Sequence, residues 1–344
     1  MSEFIEETEA DEEELFEHYR FKADPGQEVI RIDKFLIDRM PNTSRNKVQV
    51  AAKSGNILVN EQKVKQNYRV KPGDNVSIVM PYPVREIELI PENIPLDIHY
   101  EDDQLIVINK PSNIVVHPGY GNYKGTLVNA LVYHFDHLPK RSQDYFGRPG
   151  LVHRLDKHTT GLMVIAKTEE TLTHLAKQFY DRTTERRYNA LVWGDIEEDG
   201  TIIGNLGRSP KNRKVMTVFD DETQGKHAVT HYKVLKRFGL VTLVECKLET
   251  GRTHQIRVHM KHIGHPLFND LEYGGDKILK GTRSTSYTRF IENCFELIPG
   301  QALHAKTLGF FHPVLKKHLQ FDSTLPYGFQ SVIEKWEKYV RSED

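Results

Sequence analysis

Asp156 stands in LVHRLDKHTTGLMVIAKT, two residues after Arg154 and just before the apolar run Gly161–Ala166. An ionised carboxylate at the entrance to a core is costly unless it is paired or put to use. Two readings are open. Asp156 can bond its own turn, or pair with Arg154, while Thr159, Thr160 and Gly161 turn the chain into the next strand. Alternatively it is a lone carboxylate at the edge of a cleft, usable as nucleophile or base. Spacing alone favours the turn.

Three further segments carry reactive side chains. In LETGRTHQIRVHMKHIGHPLFND (248–270), Thr253 as N-cap and Gly264 as stop predict a short helix. His254, Arg257 and Lys261 then share one face, and Ile256, Met260 and Ile263 share another that is expected to be core. The run of His254, His259, His262 and His265 raises metal binding as a competing reading. No recognised zinc spacing accompanies it, so no metal site is expected. In TTERRYNALVWG (183–194), Tyr188 alternates with Ala190 and Val192, which by itself reads as a half-buried strand tyrosine. In VINKPSNIVVHPGYGN (107–122), Lys110-Pro111 and His117-Pro118-Gly119 read as turns. Lys110 and His117 could serve an anionic ligand, but the turn reading is sufficient.

These segments need a frame to hold them. The chain of 344 residues is long enough for two or more domains. Residues 1–26 are expected to be an acidic, disordered or weakly helical tail. Residues 28–80 read as a compact unit of helix, helix and small β element. Its first helix is stopped by Pro41, its second is capped by Ser44, and turns fall at Asn60-Glu61 and Pro72-Gly73-Asp74. Residues 81–95, with Pro81, Pro83, Pro91 and Pro95, look like a linker. From 96 to 335 strand signals dominate. Helices are expected at 125–135, at 168–183 and near Thr253, with a hairpin turning at Phe238-Gly239. The expected class is α+β: a mixed, mainly antiparallel sheet flanked by helices, behind a small helix/β domain.

The composition is that of an ordinary globular protein, 38% hydrophobic and 28% charged. Its longest apolar runs fall far short of the ~20 residues that span a bilayer. The start, MSEFIEETEADEEE, has neither a basic nor an apolar stretch, so no secretory signal is expected. Only two cysteines occur, Cys246 and Cys294. That argues against a disulfide framework and fits a cytoplasmic location. The net charge of −1 hides an asymmetry, because residues 1–17 hold nine acidic residues and no Lys or Arg. The remainder has 47 basic against 39 acidic residues, a net of +8. Within 28–80 the balance is ten basic to five acidic. A basic body behind an acidic tail is compatible with a nucleic-acid partner.

Taken in order, INKPxxIVVHPG, HRLDKxTTGLMVIAKT, ERRYNALVWG and LETGRTHQIRVHMxxxGHP resemble the RluA/RluD family of pseudouridine synthases over residues ~95–325. Residues 28–80 resemble the small RNA-binding domain first described in ribosomal protein S4, an arrangement most similar to the RluD branch. The resemblance implies that Asp156 is the essential catalytic carboxylate. It implies that Arg154 fills the gap left when the target uridine flips out. It places Tyr188 beside the uracil and pairs Arg257 with Asp156. It implies isomerisation of uridine to pseudouridine in structured RNA, ribosomal RNA of the large subunit ahead of transfer RNA, with no metal and no organic cofactor. Arg31, Lys34, Arg45, Lys47 and Lys53 of the N-terminal unit would grip phosphates as a second RNA contact. A monomer with no membrane partner is the default expectation. A non-catalytic RNA-binding assembly factor and a metal-dependent hydrolase are the competing readings.

Overall fold

The computed structural model describes residues 16–40, 43–80, 89–119, 121–135, 138, 149–212, 215–221, 223–282 and 284–343. The chain divides into two units, Met1–Ile87 and Glu88–Asp344.

The first unit contains β1 (Phe16–Lys22), β2 (Ile30–Arg31), α1 (Ile32–Arg39), α2 (Arg45–Lys53), β3 (Ile57–Val59), β4 (Gln62–Lys63), β5 (Arg69–Val70) and β6 (Asn75–Met80). Ile32, Phe35 and Leu36 of α1 pack with Val48 and Ala52 of α2 over Ile57, Val59, Val76 and Ile78. Ser44 caps α2, its hydroxyl accepting from the Lys47 N–H at 3.3 Å. Pro41 lies outside the described residues, and α1 ends at Arg39. Asn60 and Glu61 both adopt positive φ, 49° and 69°, as the tight turn between β3 and β4 requires. One expectation fails here. Part of the supposed tail, residues 16–22, is β1, paired antiparallel along β6. The sequence FEHYRFK alternates, and its alternate residues give β6 a second neighbour, which outweighs the acidic composition of the residues before it.

Asp33 is buried on α1 and accepts from Arg31 (Nε 3.1 Å, Nη2 3.0 Å) and from Arg45 Nε at 3.0 Å. The hydrogen bond from Arg31 holds its carboxyl below the usual carboxylate range, against the opposing effect of burial.

The second unit contains β7 (Ile98–Glu101), β8 (Leu105–Lys110), α3 (Leu127–His134), β9 (Thr160–Ala166), α4 (Glu169–Asp181), β10 (Glu185–Trp193), β11 (Gly200–Arg208), β12 (Met216–Phe219), β13 (Lys226–Arg237), β14 (Val241–Leu248), α5 (Gln255–His262), α6 (Thr285–Leu297), β15 (Leu303–His312), β16 (Lys317–Asp322) and α7 (Tyr327–Glu343). One sheet runs β12-β11-β13-β14-β10-β15-β9-β8-β7, with β16 added to β15. Its pairs are antiparallel except β9 with β15. The β13–β14 hairpin turns at Phe238-Gly239, as expected.

β9 is buried along its whole length. Met163 and Ile165 enter one core cluster, and Leu162, Val164 and Ala166 enter another with Leu172 and Leu175 of α4. Each such side chain contributes on the order of 1.5–3 kcal/mol on burial. The strand's start is equally constrained. Gly161 has φ +111°, and a Cβ there would run into the Ala305 backbone of β15. In β10 the alternation sends Tyr188, Ala190 and Val192 to one core and Leu191 and Trp193 to the other.

The expected limits of this unit need correction at both ends. Leu89 packs on the core, Glu92 N–H donates to Asn129 O, and Asn129 Nδ2 donates to Ile90 O. Residues 89–95 are therefore attached to α3, because the prolines leave enough donors and acceptors to bond it. The other end is not 335, since α7 continues to Glu343 and buries Trp336. The helices α6 and α7 were not expected. The aromatic and β-branched residues of α6 have no strong helical propensity, and burial of Tyr287, Ile291 and Cys294 decides its conformation.

Replacing Asp33 by Asn should speed amide exchange across residues 32–53 and leave exchange in residues 160–166 unchanged. Losing the charge-assisted bonds to this buried carboxylate corresponds to a loss of about 1–3 kcal/mol. Because the Asp33 carboxyl is lowered in the folded state, this contribution is present above the ordinary carboxylate range. It disappears as pH falls through the lowered value. Unchanged exchange in α1 and α2 of the variant would contradict the assignment.

Candidate active site

Two loops and one helix converge on a single guanidinium. Arg257, in the first turns of α5, is 4% exposed. Its Nη1 donates to Asp156 Oδ2 at 3.2 Å. Its Nε and Nη2 donate to the two oxygens of Asp270 at 2.7 and 2.8 Å, and Nη2 also donates to Glu272 Oε2 at 2.6 Å. Asp270 is fully buried, whereas the Glu272 side chain is 45% exposed. Burial works against the Arg257 charge, but the Asp270 bonds and the charges of Asp270, Asp156 and Glu272 outweigh it and raise the pKa of the guanidinium. A permanent cation with a planar fork suits this geometry, and lysine does not.

Asp156 is thus paired with Arg257 across 101 residues, not with Arg154. Its turn closes through the backbone instead, Thr159 N–H donating to Asp156 O at 3.1 Å. Two contacts fix that turn. His153 Nε2 accepts from Val164 N–H of β9 at 3.1 Å, and its ring stacks on Phe179 at 4.5 Å. Burial pushes this imidazole down to about 3, so it is neutral and free to accept. On the other side, Lys110 Nζ donates to the carbonyls of Pro111 (2.7 Å), Ile114 (3.0 Å) and Lys157 (3.1 Å). Burial pushes Lys110 down to about 7, and the Asp156 charge partly opposes this. Three acceptors match the three N–H groups of an ammonium, so the charged form is the one this pocket satisfies. The turn reading of Lys110 missed this, since a Lys-Pro pair does not disclose that its carbonyl partners include the residue after Asp156.

Tyr188 is buried on β10, paired with Cys246 of β14 and Ala305 of β15. Burial raises its phenol, Arg186 partly offsets this, and the Asp156 charge raises it further, so the hydroxyl keeps its proton at neutral pH. Arg154, two residues before Asp156, is exposed.

The predicted helix forms as α5, but His254, not Thr253, is its N-cap, with left-handed φ 56° and ψ 22°. The expected stripe converges on Tyr273, a residue the sequence reading passed over. His254 Nδ1 meets the Tyr273 hydroxyl at 2.8 Å, Arg257 lies over its ring at 4.8 Å and Lys261 at 5.6 Å. Asp156 is also not the sole carboxylate of the polar centre, since Asp270 and Glu272 share Arg257. The signal for them was the pair of acids two apart, closing on Tyr273-Gly274-Gly275. The histidine run disperses. His259 bonds Thr230 and His265 bonds the Trp193 carbonyl. Among the described residues no three potential ligands gather on one point.

The N-terminal basic residues Arg31, Lys34, Arg45, Lys47 and Lys53 are all exposed on or beside α1 and α2.

The two acids on Arg257 should differ sharply. Asp270→Asn leaves a buried cation short of its two-oxygen partner and should cost about 3–5 kcal/mol. Glu272→Gln, at a half-exposed site, should cost no more than about 1 kcal/mol. Urea unfolding of the two variants checks this, and equal losses would count against the hub.

Residues 104–262 match the family model described as RNA pseudouridylate synthase, and residues 30–76 match the S4 domain. The chain is 47% identical over 317 residues to an uncharacterized RNA pseudouridine synthase of Chlorobaculum parvum, covering 90% of this chain and 94% of that protein. It is 41% identical over 305 residues to the ribosomal large subunit pseudouridine synthase D of Nitrosomonas europaea, covering 89% and 84%. The solved human RNA pseudouridylate synthase domain containing 4 superposes with a TM-score of 0.52 at 25% identity, covering 70% of this chain and 92% of that one. With these likenesses spanning most of its length, the chain belongs to the RNA pseudouridylate synthase family and carries an S4 domain ahead of the synthase domain.

Proposed function

We propose that this protein isomerises specific uridines to pseudouridine in large-subunit ribosomal RNA, with Asp156 as the essential carboxylate. The observation that carries the reading is the 3.2 Å pair between Arg257 Nη1 and Asp156 Oδ2. It joins two motif segments whose paired residues stand 101 apart in sequence. The substrate follows from relatives such as those of Nitrosomonas europaea and Zymomonas mobilis, named as ribosomal large subunit pseudouridine synthase D, at 41% and 40% identity.

The reaction breaks the bond from ribose C1′ to uracil N1 and joins C1′ to C5. The C5 proton is lost and N1 gains one, so the product is an isomer. Asp156 attacks C1′ or removes a sugar proton. Either role needs an ionised carboxylate, and Arg257 supplies a counter-charge that cannot deprotonate. Tyr188 offers a flat, buried ring against the uracil and a protonated hydroxyl near C5. A uridine inside folded RNA has to leave its stack, at a cost of a few kcal/mol. Arg154, exposed two residues before Asp156, offsets part of this by stacking and bonding where the base was.

The domain limits that follow are 16–80 for the S4-type unit and 89–343 for the synthase unit. Arg31, Lys34, Arg45, Lys47 and Lys53 form a second, sequence-independent grip on phosphates. Arg31 and Arg45 are held by Asp33 with their charges still facing water. We also propose that the protein works as a monomer in the cytoplasm, without metal or organic cofactor. No helix among the described residues is long and apolar enough to cross a membrane.

Asp156→Asn should reduce pseudouridine formation on ribosomal RNA about a thousandfold or more while RNA affinity and unfolding midpoint stay near wild type. Wild-type turnover in that variant would falsify the assignment. Arg154→Ala should slow turnover on folded RNA more than on a short unstructured strand. An equal loss on both substrates would remove the gap-filling role.

A further inference from the structure

His254 occupies a place that ordinary helix capping does not explain. A residue at the N-cap usually turns its side chain onto the first free N–H groups of the helix. His254 makes no such bond. It holds a left-handed backbone, φ 56°, which is uncommon outside glycine and which His, like Asn and Asp, takes more readily than other side chains. Its ring is turned the other way, into the carboxylate cluster, with Nε2 3.8 Å from Asp156 Oδ1 and Nδ1 2.8 Å from the Tyr273 hydroxyl.

The hydrogen-bond order around Tyr273 selects the tautomer. Met216 N–H of β12 donates to the Tyr273 oxygen at 3.0 Å. The phenol's own proton needs an acceptor, and His254 Nδ1 lies at hydrogen-bond distance. An acceptor Nδ1 leaves the proton on Nε2, which is the atom facing Asp156. Each ring nitrogen also has a carboxylate oxygen at 3.8 Å, Asp156 Oδ1 from Nε2 and Glu272 Oε2 from Nδ1, so the Tyr273 hydroxyl at 2.8 Å is the contact that decides the tautomer. The charged groups around the ring are Asp156, Arg257, Glu272 and Asp270. Desolvation lowers the imidazole below its usual value despite the three carboxylates, so the neutral ring prevails at neutral pH. Tyr273 itself is pushed up to about 12 by burial and stays protonated.

We infer that His254 is a positioning residue for Asp156: its Nε2–H holds Oδ1 while Arg257 Nη1 holds Oδ2, and Tyr273 sets which ring nitrogen carries the proton. The inference rests on the proposed role of Asp156. The carboxylate is then gripped at both oxygens, and its plane is fixed relative to an incoming ribose. The 3.8 Å separation is longer than a hydrogen bond. It closes when substrate excludes water, as catalytic contacts commonly tighten in the bound complex. Carboxylate orientation is worth protecting, because misplacement by about 1 Å can cost on the order of a hundredfold in rate.

The test uses single-turnover pseudouridine formation by the full chain on large-subunit ribosomal RNA transcribed in vitro. It compares His254→Gln with His254→Asn. Gln can place an N–H where Nε2–H stands, whereas Asn is too short but suits the left-handed backbone better. A merely structural role predicts that Asn is the better replacement. The positioning role predicts that Gln retains about tenfold more of the maximal rate than Asn, with half-saturating enzyme concentration alike in both. Tyr273→Phe should slow the wild-type background and add little in the His254→Gln background, since an amide has no tautomer to set. Equal rates for the Gln and Asn variants, a faster Asn variant, or a Tyr273→Phe effect undiminished by Gln would each overturn the inference. Asp156→Asn is run alongside. Activity in that variant overturns the underlying reading. Its inactivity beside an unimpaired His254→Asn overturns the positioning role alone.

Discussion

The Arg257 guanidinium is the constraint around which the polar centre of the second unit is built. It lies on a short helix, and it binds a carboxylate from the loop before β9 and two from the segment that follows α5. A cation so buried is tolerated only because Asp270 matches its fork with both oxygens. That match takes Nε and one N–H of Nη2, Glu272 takes a further Nη2 bond, and Nη1 is left to Asp156. The more exposed partners are Asp156 and Glu272, whereas Asp270 is fully buried. The result is a rigid positive centre with one carboxylate that is held but not enclosed. His153 and Lys110 then secure the Asp156 loop from two directions, so its position does not rest on one ion pair.

The same device recurs in the N-terminal unit with a different outcome. There the buried group is the acid, Asp33, and the arginines Arg31 and Arg45 are the exposed partners. In the synthase unit a buried arginine presents a carboxylate to solvent. In the S4-type unit a buried carboxylate presents two arginines. One arrangement suits a reacting acid, and the other suits attraction to phosphate.

Much of this was legible in the sequence, for identifiable reasons. The α+β class, the strand after HRLD, the hairpin at Phe238-Gly239 and the Ser44 cap rest on local periodicity and turn chemistry, which a sequence carries openly. Asp156, Tyr188 and Arg257 could be singled out together because their segments match one family pattern. The roles of Tyr273, Asp270 and Lys110 were not legible. Asp270 and Tyr273 lie only 13 and 19 residues from Arg257 and His254, but they meet them only once the chain after α5 folds back, and Lys110 meets the Lys157 carbonyl 47 residues on. β1 was hidden by the acidic residues preceding it, and α6 by a composition that reads equally as strand. In both, burial against another element outweighs local preference.

The parallel pairing of β9 with β15 bears on how the protein comes into being. Thr160 and Gly161 pair with His304 and Ala305, and Thr160 Oγ1 meets His304 Nδ1 at 2.8 Å. The strand that anchors the Asp156 loop therefore lacks one neighbour until a segment more than a hundred residues later has left the ribosome. Closing so long a span is slow compared with forming helices and hairpins. Residues 16–80 have all their sheet partners within the first quarter of the chain. A growing chain thus completes its S4-type fold long before β15 emerges to anchor the strand behind the Asp156 loop.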